Sequence, residues 1–473
     1  MDKLSGVIAT TANRRAALAV SCVSSFMTPY LSSAVSIALP AIGADFRLGA
    51  VSLGWVNTAF LVTAAAFLLP FGKLGDMIGR KRVFVAGLVS YTVFSVLAAL
   101  APGGAALVVA VALIGAAAAM IFGTGVAILT SVYPPAERGR VLGVNVSFTY
   151  AGLSLGPLLG GFLTHVFGWR AVYLLDVPVG LAALAVVLAA LKGEWKGEEG
   201  QRFDLAGSLL SAATLALLVY GLSLLPEPAG FAFVAASAVL FVLFVLRESR
   251  AAYPLVSLSL FRESRVFAMS NLAALINYSA TFAITFFLSL YLQYTRGLTP
   301  SGAGLILITQ PVCMALFASV AGRMSDSYDS GVLASVGMAI IVIGLSLLAF
   351  LTAHTTTAYL VVSLIVLGSG FGLFSSPNTN SVMGSVEKKY LGIASATVST
   401  MRLTGQMMSM GIATLIIHVF IGTSKINEQS MDAFLRGTRV TFLVFAILCL
   451  FGVFASLARG KKPLDQVAAA GHE

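Results

Sequence analysis

Charged residues are scarce in this sequence. Asp, Glu, Lys and Arg together make up 10% of its 473 residues, whereas ordinary soluble domains contain about 25%. Only three cysteines and four histidines occur, without a CxxC pair or an HExxH pattern. A typical soluble globular protein is therefore excluded, and nothing indicates a disulfide framework, a zinc site or a nucleotide-binding loop. We predict no cofactor, no metal and no enzymatic activity.

Long apolar runs occupy most of the chain. Hydrophobic residues make up 58% of the sequence, and about 20 consecutive apolar residues suffice to cross a bilayer as a helix. A transmembrane barrel would instead show alternating segments of about ten residues. The fold class predicted is an all-α polytopic membrane protein in the lipid bilayer. Its 14 transmembrane helices are predicted at 16–38, 53–72, 83–101, 105–132, 141–165, 171–191, 205–224, 230–246, 266–292, 301–322, 332–352, 356–383, 392–421 and 438–458.

The distribution of basic residues orients these helices. An even number of helices places both termini on the same side of the membrane. Of the 29 Lys and Arg residues, 22 fall on that side, six fall on the other, and Arg402 lies inside a helix. Because cytoplasmic loops carry the Lys and Arg excess, both termini are predicted to be cytoplasmic in a multi-pass protein of the cell membrane. The net charge of +10 reflects this orientation, and no nucleic-acid partner is predicted. The first fifteen residues contain no apolar core, so no cleavable signal peptide is expected.

Charged loops divide the chain into blocks. We predict an N-terminal six-helix half at 1–191, an inserted helix pair with cytoplasmic linkers at 192–265, a C-terminal six-helix half at 266–458 and a cytoplasmic tail at 459–473. A faint repeat supports the two halves, because Gly72–Asp76 (GKLGD) is echoed by Gly322–Asp326 (GRMSD). Transporters use such repeats to form a site between two halves at the middle of the membrane.

Two glycine-containing motifs stand out in the sequence. The first is GKLGDMIGRKR between helices 2 and 3, in which glycines permit a tight turn and the acid can pair at a helix end. The second is GxxxGPxxGG in helix 5, where glycines at spacing four let a neighbouring backbone approach and proline bends the helix. The residues of these motifs that we single out are Gly72, Asp76, Gly79, Arg80, Gly152, Gly156, Pro157 and Gly160.

Together with other segments, these motifs resemble those of a known family. The further segments are WRAVYLLDVPVG (Trp169–Gly180), PLVSLSLF (Pro254–Phe261), YLQYTRGLTPSGAGL (Tyr291–Leu305) and GSGFGLFSSPNTN (Gly368–Asn380). The chain is similar to the major facilitator superfamily, and within it to the fourteen-span drug:proton antiporter branch, the EmrB/QacA-like drug resistance transporters. This resemblance implies the major facilitator fold, alternating access and efflux of amphipathic small molecules. It also implies a gating role for the residues singled out in the two glycine-containing motifs.

The sequence departs from that family where proton coupling is concerned. The acid that the family pattern places in helix 1 is Leu31 here, and the Arg and Gln positions of helix 4 are Val111 and Ile114. Proton coupling by the usual groups is therefore doubtful. One carboxylate, Asp176, lies inside a span, about 8 Å from the outer face at 1.5 Å per residue. Two interpretations remain open for it, a proton-coupling residue or an interfacial cap near Pro178.

The candidate substrate-binding residues are polar groups within helices. Arg402 is the one ionisable group well inside a helix, which is costly in a membrane. It is either a charge facing a cavity or an Arg satisfied by backbone carbonyls or by snorkelling. The residues predicted to bind substrate are Tyr30, Asn57, Asn145, Tyr150, Asn277, Tyr278, Gln310, Asn378, Arg402 and Gln406. A positive charge without a buried acid predicts neutral or anionic amphiphiles.

The predicted function is multidrug-type efflux of small amphipathic molecules, by a protein expected to act as a monomer. One alternative is a facilitator, symporter or lipid transporter of the same fold. Another, from a different class, is a transport-inactive membrane sensor or scaffold.

Overall fold

The fold was analysed in a computed structural model. It describes residues 11–196, 203–251, 255, 258–325, 328–386, 391–422, 424 and 426–459. Asp326 and the tail from residue 460 onward lie outside the described residues. The long helices are α1 (Thr11–Phe46), α2 (Ala50–Ile78), α3 (Arg80–Ala99), α4 (Gly104–Val132), α5 (Pro135–Phe167), α6 (Arg170–Ala190), α7 (Leu205–Leu224), α8 (Pro228–Glu248), α9 (Arg265–Thr295), α10 (Pro300–Met324), α11 (Ser330–Ala349), α12 (Thr357–Met383), α13 (Leu391–Ile421) and α14 (Met431–Leu457). A six-residue helix, Leu258–Glu263, precedes α9.

The prediction of an all-α polytopic membrane fold is confirmed. Thirteen of the long helices are apolar enough to cross a membrane. The fourteenth, α5, is 33 residues long, which is enough to cross a bilayer as a helix. Several helices extend beyond the predicted ends. For example, α5 begins at Pro135 rather than at 141, because proline is tolerated in the first turn and polar residues continue the helix outside the apolar run.

Two helices are locally irregular. In α9 the helical hydrogen bonding is interrupted at Phe282 and Ala283, and the last turn, Tyr291–Thr295, is a π-helical turn. The Ala283 N–H, freed by the interruption, donates to Ser409 Oγ of α13 at 3.0 Å. In α10 the interruption falls at Ile308. Such breaks are tolerated inside a membrane protein when neighbouring helices satisfy the backbone groups.

Contacts between the first six and the last six helices follow a two-fold pattern. The second helix of one group packs against the fifth of the other, so that α2 lies along α13 and α10 lies along α5. We call these two contacts the α2–α13 seam and the α5–α10 seam. Within the first group, α1 packs mainly on α5 and α2 on α4; within the last group, α9 packs on α13 and α10 on α12. The helices that form the seams therefore also hold their own group together.

The helix pair α7 and α8 lies beside the α2–α13 seam. The two helices pack on each other, and α7 contacts both α2 and α13. Tyr220 of α7 lies between Trp55 of α2 and Phe233 of α8, with ring centroids 6.1 and 5.1 Å away. On the other side, the backbone oxygen of Ser223 of α7 accepts a hydrogen bond from His418 Nδ1 of α13 at 2.9 Å. The pair thus contacts both groups of helices, through an aromatic ring on one side and a hydrogen bond on the other.

The glycines of α5 allow α1 to approach closely. A Cβ added at Gly152 would lie 2.5 Å from Phe26 O, and one added at Gly160 would lie 2.6 Å from the Ala34 Cα. At Gly156 an added Cβ would lie 2.9 Å from Tyr30 O. No side chain fits at these positions, because real Cβ contacts are not shorter than about 3 Å. The predicted close approach at spacing four is therefore present, and the helix approached is α1.

Hydrogen bonds between the two helix groups cluster toward one side. We call the helix ends beside the start of α1 and the end of α14 the inner ends, and the opposite ends the outer ends, after the orientation predicted from the sequence. At the outer ends, Gln293 Nε2 donates to Ile37 O at 2.9 Å, Ser301 Oγ donates to Gly161 O at 3.2 Å, and Ala50 N donates to Ser424 O at 3.0 Å. One bond lies near mid-helix, from Tyr150 to Ser375. Among the described residues no such bond joins the two groups at the inner ends. The hydrogen bonds identified between the two groups among the described residues thus lie at the outer ends and at mid-helix.

Candidate substrate site

Arg402 of α13 lies inside the helix bundle against an aromatic ring. Its guanidinium carbon is 5.2 Å from the centroid of the Tyr278 ring of α9. The Tyr278 ring in turn meets Phe371 of α12 edge to face, with centroids 5.4 Å apart. The Arg402 Nε is buried without a hydrogen-bond partner. Within the described part of the chain, Arg402 is therefore held by a cation–π contact rather than by backbone carbonyls.

Tyr150 of α5 faces this cluster from the other helix group. Its hydroxyl donates to Ser375 Oγ of α12 at 2.9 Å, and Tyr150 interacts electrostatically with both Tyr278 and Arg402. We call Tyr150, Tyr278, Phe371, Ser375 and Arg402 the central site. These five residues come from four helices and from both groups, and each lies well inside its helix. The central site thus combines three aromatic rings, three hydroxyls and one guanidinium.

Asp176 lies outside the central site, and its setting corrects one sequence-based interpretation. The residue is 1% exposed, and its carboxylate accepts a hydrogen bond from Tyr91 of α3 at 3.3 Å. A cap at the membrane interface would be partly hydrated and would accept from backbone N–H groups, so the interfacial-cap interpretation is wrong. The short distance along the helix from its outer end was misleading because α1 and α3 cover this part of α6.

Two predicted substrate ligands instead join helices of the first group. Asn145 of α5 donates to Ser21 O and Ser21 Oγ of α1 at 2.9 and 2.8 Å, and accepts from Ser25 Oγ at 3.0 Å. Asn57 of α2 donates to Ser36 Oγ of α1 at 2.7 Å. Both residues are at least nine-tenths buried. Because the Asn145 amide is fully occupied by α1, we leave Asn145 out of the central site. We leave Asn57 out as well, because its amide also bonds α1.

The other predicted ligands are distributed around the bundle. Tyr30 donates to Val172 O of α6 at 3.5 Å, beside Asp176. Asn378 accepts from Arg459, near the inner end of α12, at 2.7 Å. Asn277, one residue before Tyr278, is fully buried, and neither atom of its amide has a hydrogen-bond partner. Gln310 is buried and Gln406 is half-buried. Of these, the unpaired amide of Asn277 is the group most in need of a ligand or water.

The turn between α2 and α3 forms a bonded assembly at the inner side. Asp76 and Arg80 form an ion pair at 2.7 Å, and Arg80 also donates to Ala127 O and Ser131 Oγ of α4 at 3.1 and 2.6 Å. The pairing that the sequence allowed for Asp76 is thus present. Gly79 has a φ of 122°, which favours glycine. A Cβ added at Gly72 would meet Gly123 O of α4 at 4.0 Å, whereas one added at Gly123 would lie 3.1 Å from Gly72 N.

The segment that follows α6 is fastened to the same turn. Glu194 accepts from Lys81 N at 2.8 Å, and Trp195 O accepts from Arg80 N at 2.8 Å, so both satisfy the free N–H groups at the start of α3. Asn13 of α1 exchanges two hydrogen bonds with the Lys192 backbone, at 2.8 and 3.0 Å. Sequence reasoning treated this segment as a linker and missed its role as a cap, because Glu194 lies more than a hundred residues from the helix it caps.

Several other residues of the sites were missed. Phe371 and Ser375 lie in an apolar helix where nothing distinguishes an inward-facing Phe or Ser from a lipid-facing or packing one. Tyr91 and Tyr173, which surround Asp176, were missed for the same reason. Their shared signal is a tyrosine in the middle of an apolar span, since a buried phenol hydroxyl generally requires a partner. Tyr150 and Tyr278 were found by that same reasoning.

Comparison with known proteins identifies the family. A sequence profile of the Major Facilitator Superfamily matches residues 21–265 and 271–472. The chain belongs to this superfamily. It is therefore a multi-pass membrane transporter, as the resemblance of its motifs implied. The match spans both groups of six helices and the pair between them.

Curated relatives and solved structures of this superfamily cover nearly the whole chain. The chain is 27% identical over 444 residues to the riboflavin transporter RibZ of Clostridioides difficile, covering 93% of this chain and 96% of RibZ. It is 32% identical over 474 residues to the cephamycin export protein CmcT of Amycolatopsis lactamdurans, covering 97% and 96%. It is 30% identical over 405 residues to the multidrug efflux pump LfrA of Mycolicibacterium smegmatis, covering 84% and 79%. A structure of the nucleoside transporter NupG covers 94% of this chain and 100% of that chain, with a TM-score of 0.62 at 14% identity, which shows the fold alone.

Proposed function

We propose that this protein exports amphipathic small molecules from the cytoplasm across the cell membrane by alternating access. In this proposal both termini are cytoplasmic, and the protein performs transport rather than catalysis as a monomer. The observation that carries it is the central site, where residues of both helix groups meet around Arg402. Efflux is supported by the relatives CmcT and LfrA, whose names describe export and efflux.

The charge of the central site favours neutral or anionic cargo. Arg402 carries a positive charge, and among the described residues no carboxylate contacts it or the four other residues of the site. A cation placed beside the guanidinium would be repelled in surroundings of low dielectric constant. An anionic group could take charge-assisted hydrogen bonds from Arg402, while an aromatic or apolar body would pack on the rings of Tyr278, Phe371 and Tyr150.

The arrangement of contacts supports a rocking movement. The outer ends of the two helix groups are hydrogen-bonded to each other. Among the described residues, no identified hydrogen bond joins the inner ends. In this proposal the central site is reached from the inner side in this conformation. To release cargo outward, the outer contacts must break and the inner ends must close, as two halves that rock about a central site would do.

Three dyes test the proposal: an anion, its uncharged counterpart without the sulfonate, and a cation. In proteoliposomes we expect the anionic anilinonaphthalenesulfonate to be transported in preference to the cation ethidium. The change Arg402→Gln should lower transport of the sulfonate at least tenfold, because hydrogen bonds to a charged group contribute about 1.5–3 kcal/mol. Transport of the uncharged phenylnaphthylamine should be little changed. The matched control is Arg436→Gln, which removes the same charge from an exposed position of α14.

Other outcomes of that experiment would contradict the proposal. Ethidium transported in preference to the sulfonate by the wild type, or sulfonate transport unaffected by Arg402→Gln, would disprove the assigned role of Arg402. Counterflow without a response to any ion gradient would favour the facilitator alternative. No transport of any dye, without a change in thermal stability on dye addition, would favour a sensor or scaffold.

A further inference from the structure

Asp176 is a carboxylate buried in the first helix group without a compensating cation. Its exposed fraction is 1%, and the one hydrogen bond to its side chain comes from the Tyr91 hydroxyl at 3.3 Å. No Lys, Arg or His of the described residues forms an ion pair with it. This differs from Asp45, Asp76 and Asp204, each of which pairs with an arginine.

Tyrosines surround this carboxylate. Tyr30 of α1, Tyr91 of α3 and Tyr173 of α6 itself all interact electrostatically with Asp176, and each is at most 1% exposed. The Tyr173 hydroxyl has no hydrogen-bond partner. The helices packed against α6 are α1, α3 and α5, and α5 contributes no described charged group that interacts with Asp176. The phenols are the only titratable groups of the described residues that face it.

The physical consequence is that the protonated carboxyl is favoured. An ionised carboxylate that loses water without gaining a cation is strongly destabilised, whereas the neutral acid is a hydrogen-bond donor and acceptor of ordinary polarity. Protonation also gives Asp176 a donor, which phenol oxygens can accept. The Tyr91 hydroxyl can bond either form by rotating its hydrogen, so this setting suits a group that gains and loses a proton.

Tyr30 connects the carboxylate to the close contact between α1 and α5. Its hydroxyl lies on the α6 side, bonded to Val172 O, while its backbone lies against α5. A Cβ added at Gly152 would be 3.2 Å from Tyr30 N, and one added at Gly156 would be 2.9 Å from Tyr30 O. A change of charge beside the Tyr30 hydroxyl therefore acts on the residue that α5 packs against.

We propose that Asp176, with Tyr30, Tyr91 and Tyr173, forms a proton-binding site whose occupancy stabilises the packing of α1 on α5. Protonation transfers one proton from water to a carboxylate oxygen, and its loss returns the proton to water. The anion then needs hydration, which requires α1, α3 and α6 to separate. The proton site itself does not depend on the proposed transport function. A role of that site in coupling transport to protons does rest on it. The site is not the one that the family pattern implies, because that position, in α1, is Leu31.

Infrared spectroscopy of the reconstituted protein tests the proton site directly. At neutral pH we expect a carbonyl stretching band of a protonated carboxylic acid, which is absent in Asp176→Asn and retained in the matched control Asp45→Asn. The change Tyr91→Phe, which removes the hydrogen bond with little change in shape, should shift that band to higher frequency. An unchanged band in Asp176→Asn would overturn the proposal. If Asp176→Asn does not fold, an unshifted band in Tyr91→Phe would overturn it instead.

A transport measurement separates failure of this site from failure of the proposed function. With anilinonaphthalenesulfonate as the cargo, Asp176→Asn should retain counterflow without a pH gradient and lose at least nine-tenths of any stimulation by a gradient. Equal stimulation in the wild type and Asp176→Asn would contradict a coupling role for Asp176. If the wild type shows no counterflow, the proposed function fails, while the infrared result still decides the proton site.

Discussion

At the scale of single residues, the membrane makes each ionisable side chain depend on its partners. Arg402 is held against the Tyr278 ring, Asp176 has phenol neighbours, and Arg459 lies 3% exposed with Asn378 as its hydrogen-bond partner. Burial, opposed by the charge of Asp329, lowers the pKa of Arg459 to about 10. An ionisable side chain inside the bundle thus depends on the groups that it contacts there, whereas one at the surface is hydrated.

One residue-scale prediction concerns Asp204, which precedes α7. Its carboxylate caps the helix by accepting from Gly207 N at 2.9 Å and pairs with Arg247 of α8 at 3.1 Å. Burial opposes ionisation of Asp204, but these hydrogen bonds and the charge of Arg247 outweigh it, so its pKa lies below the usual 3.8. Loss of the cap through Asp204→Ala should therefore reduce stability by about 0.5–2 kcal/mol.

The pH dependence of that effect follows from the lowered pKa. The stabilisation is fully present above pH 3.8 and is lost as the pH falls through the lower pKa of the folded protein. Thermal unfolding should therefore separate wild type and Asp204→Ala at neutral pH, and the separation should shrink in acid. Asp204→Ser keeps a capping hydroxyl without the charge, so its loss of stability relative to the wild type should be smaller than that of Asp204→Ala and should also shrink in acid. A separation that grows in acid would contradict this account.

At the scale of helices, glycine spacing decides which pairs can touch. The glycines of α5 meet α1, and Gly304 of α10 meets α5, where an added Cβ would lie 2.2 Å from Pro157 O. Pro157 lies inside a continuous α5, and its backbone oxygen lies on the side of α5 that faces α10. The α5 motif therefore serves two surfaces at once, one within its own helix group and one at the α5–α10 seam.

Substitution of Gly160 tests this packing. In Gly160→Ala the new methyl would lie 2.6 Å from the Ala34 Cα and 2.9 Å from Ala34 O, so α1 and α5 must move apart. We expect a loss of about 1–3 kcal/mol, as overpacked interiors show, measured as a lower thermal unfolding temperature. Gly103→Ala is the control, because a Cβ there meets nothing within 4 Å and its φ of −171° is ordinary extended backbone. Equal stability of the two variants would show that the contact can relax without cost.

At the scale of the whole molecule, transport by rocking requires the seams to open and close. Near the outer end of the α2–α13 seam, a Cβ built on Gly54 lies 3.8 Å from the Thr414 Cβ. That separation matches the mean Cβ···Cβ distance of disulfides, about 3.8 Å. The α7 and α8 pair contacts both sides of this seam, so it must follow or resist the same movement.

A disulfide across that seam should stop transport reversibly. In a protein with Cys22, Cys313 and Cys449 replaced, the double change Gly54→Cys and Thr414→Cys should cross-link under mild oxidation. Dye transport should then fall to the level of empty liposomes and return on reduction. Each single change serves as a control and should not respond to oxidation. Full transport by the cross-linked protein would show that this seam stays closed throughout the cycle.

The amino-acid sequence by itself determined the membrane location, the number of helices and the superfamily. Apolar length and basic-residue asymmetry act locally along the chain, so they are readable without coordinates. The sequence also singled out Arg402, Tyr150 and Tyr278, because an ionisable or phenolic group inside an apolar helix must find a partner.

Only the tertiary structure decided which partner each polar group has. Asn145 resembled a ligand of the substrate, but α1 occupies its whole amide. Asp176 looked close to the membrane surface, but α1 and α3 bury it among tyrosines. Glu194 looked like part of a linker, but it caps α3. In each case the deciding contact comes from a helix far away in the sequence, and the energy of a buried polar group depends on that contact rather than on its neighbours in the chain.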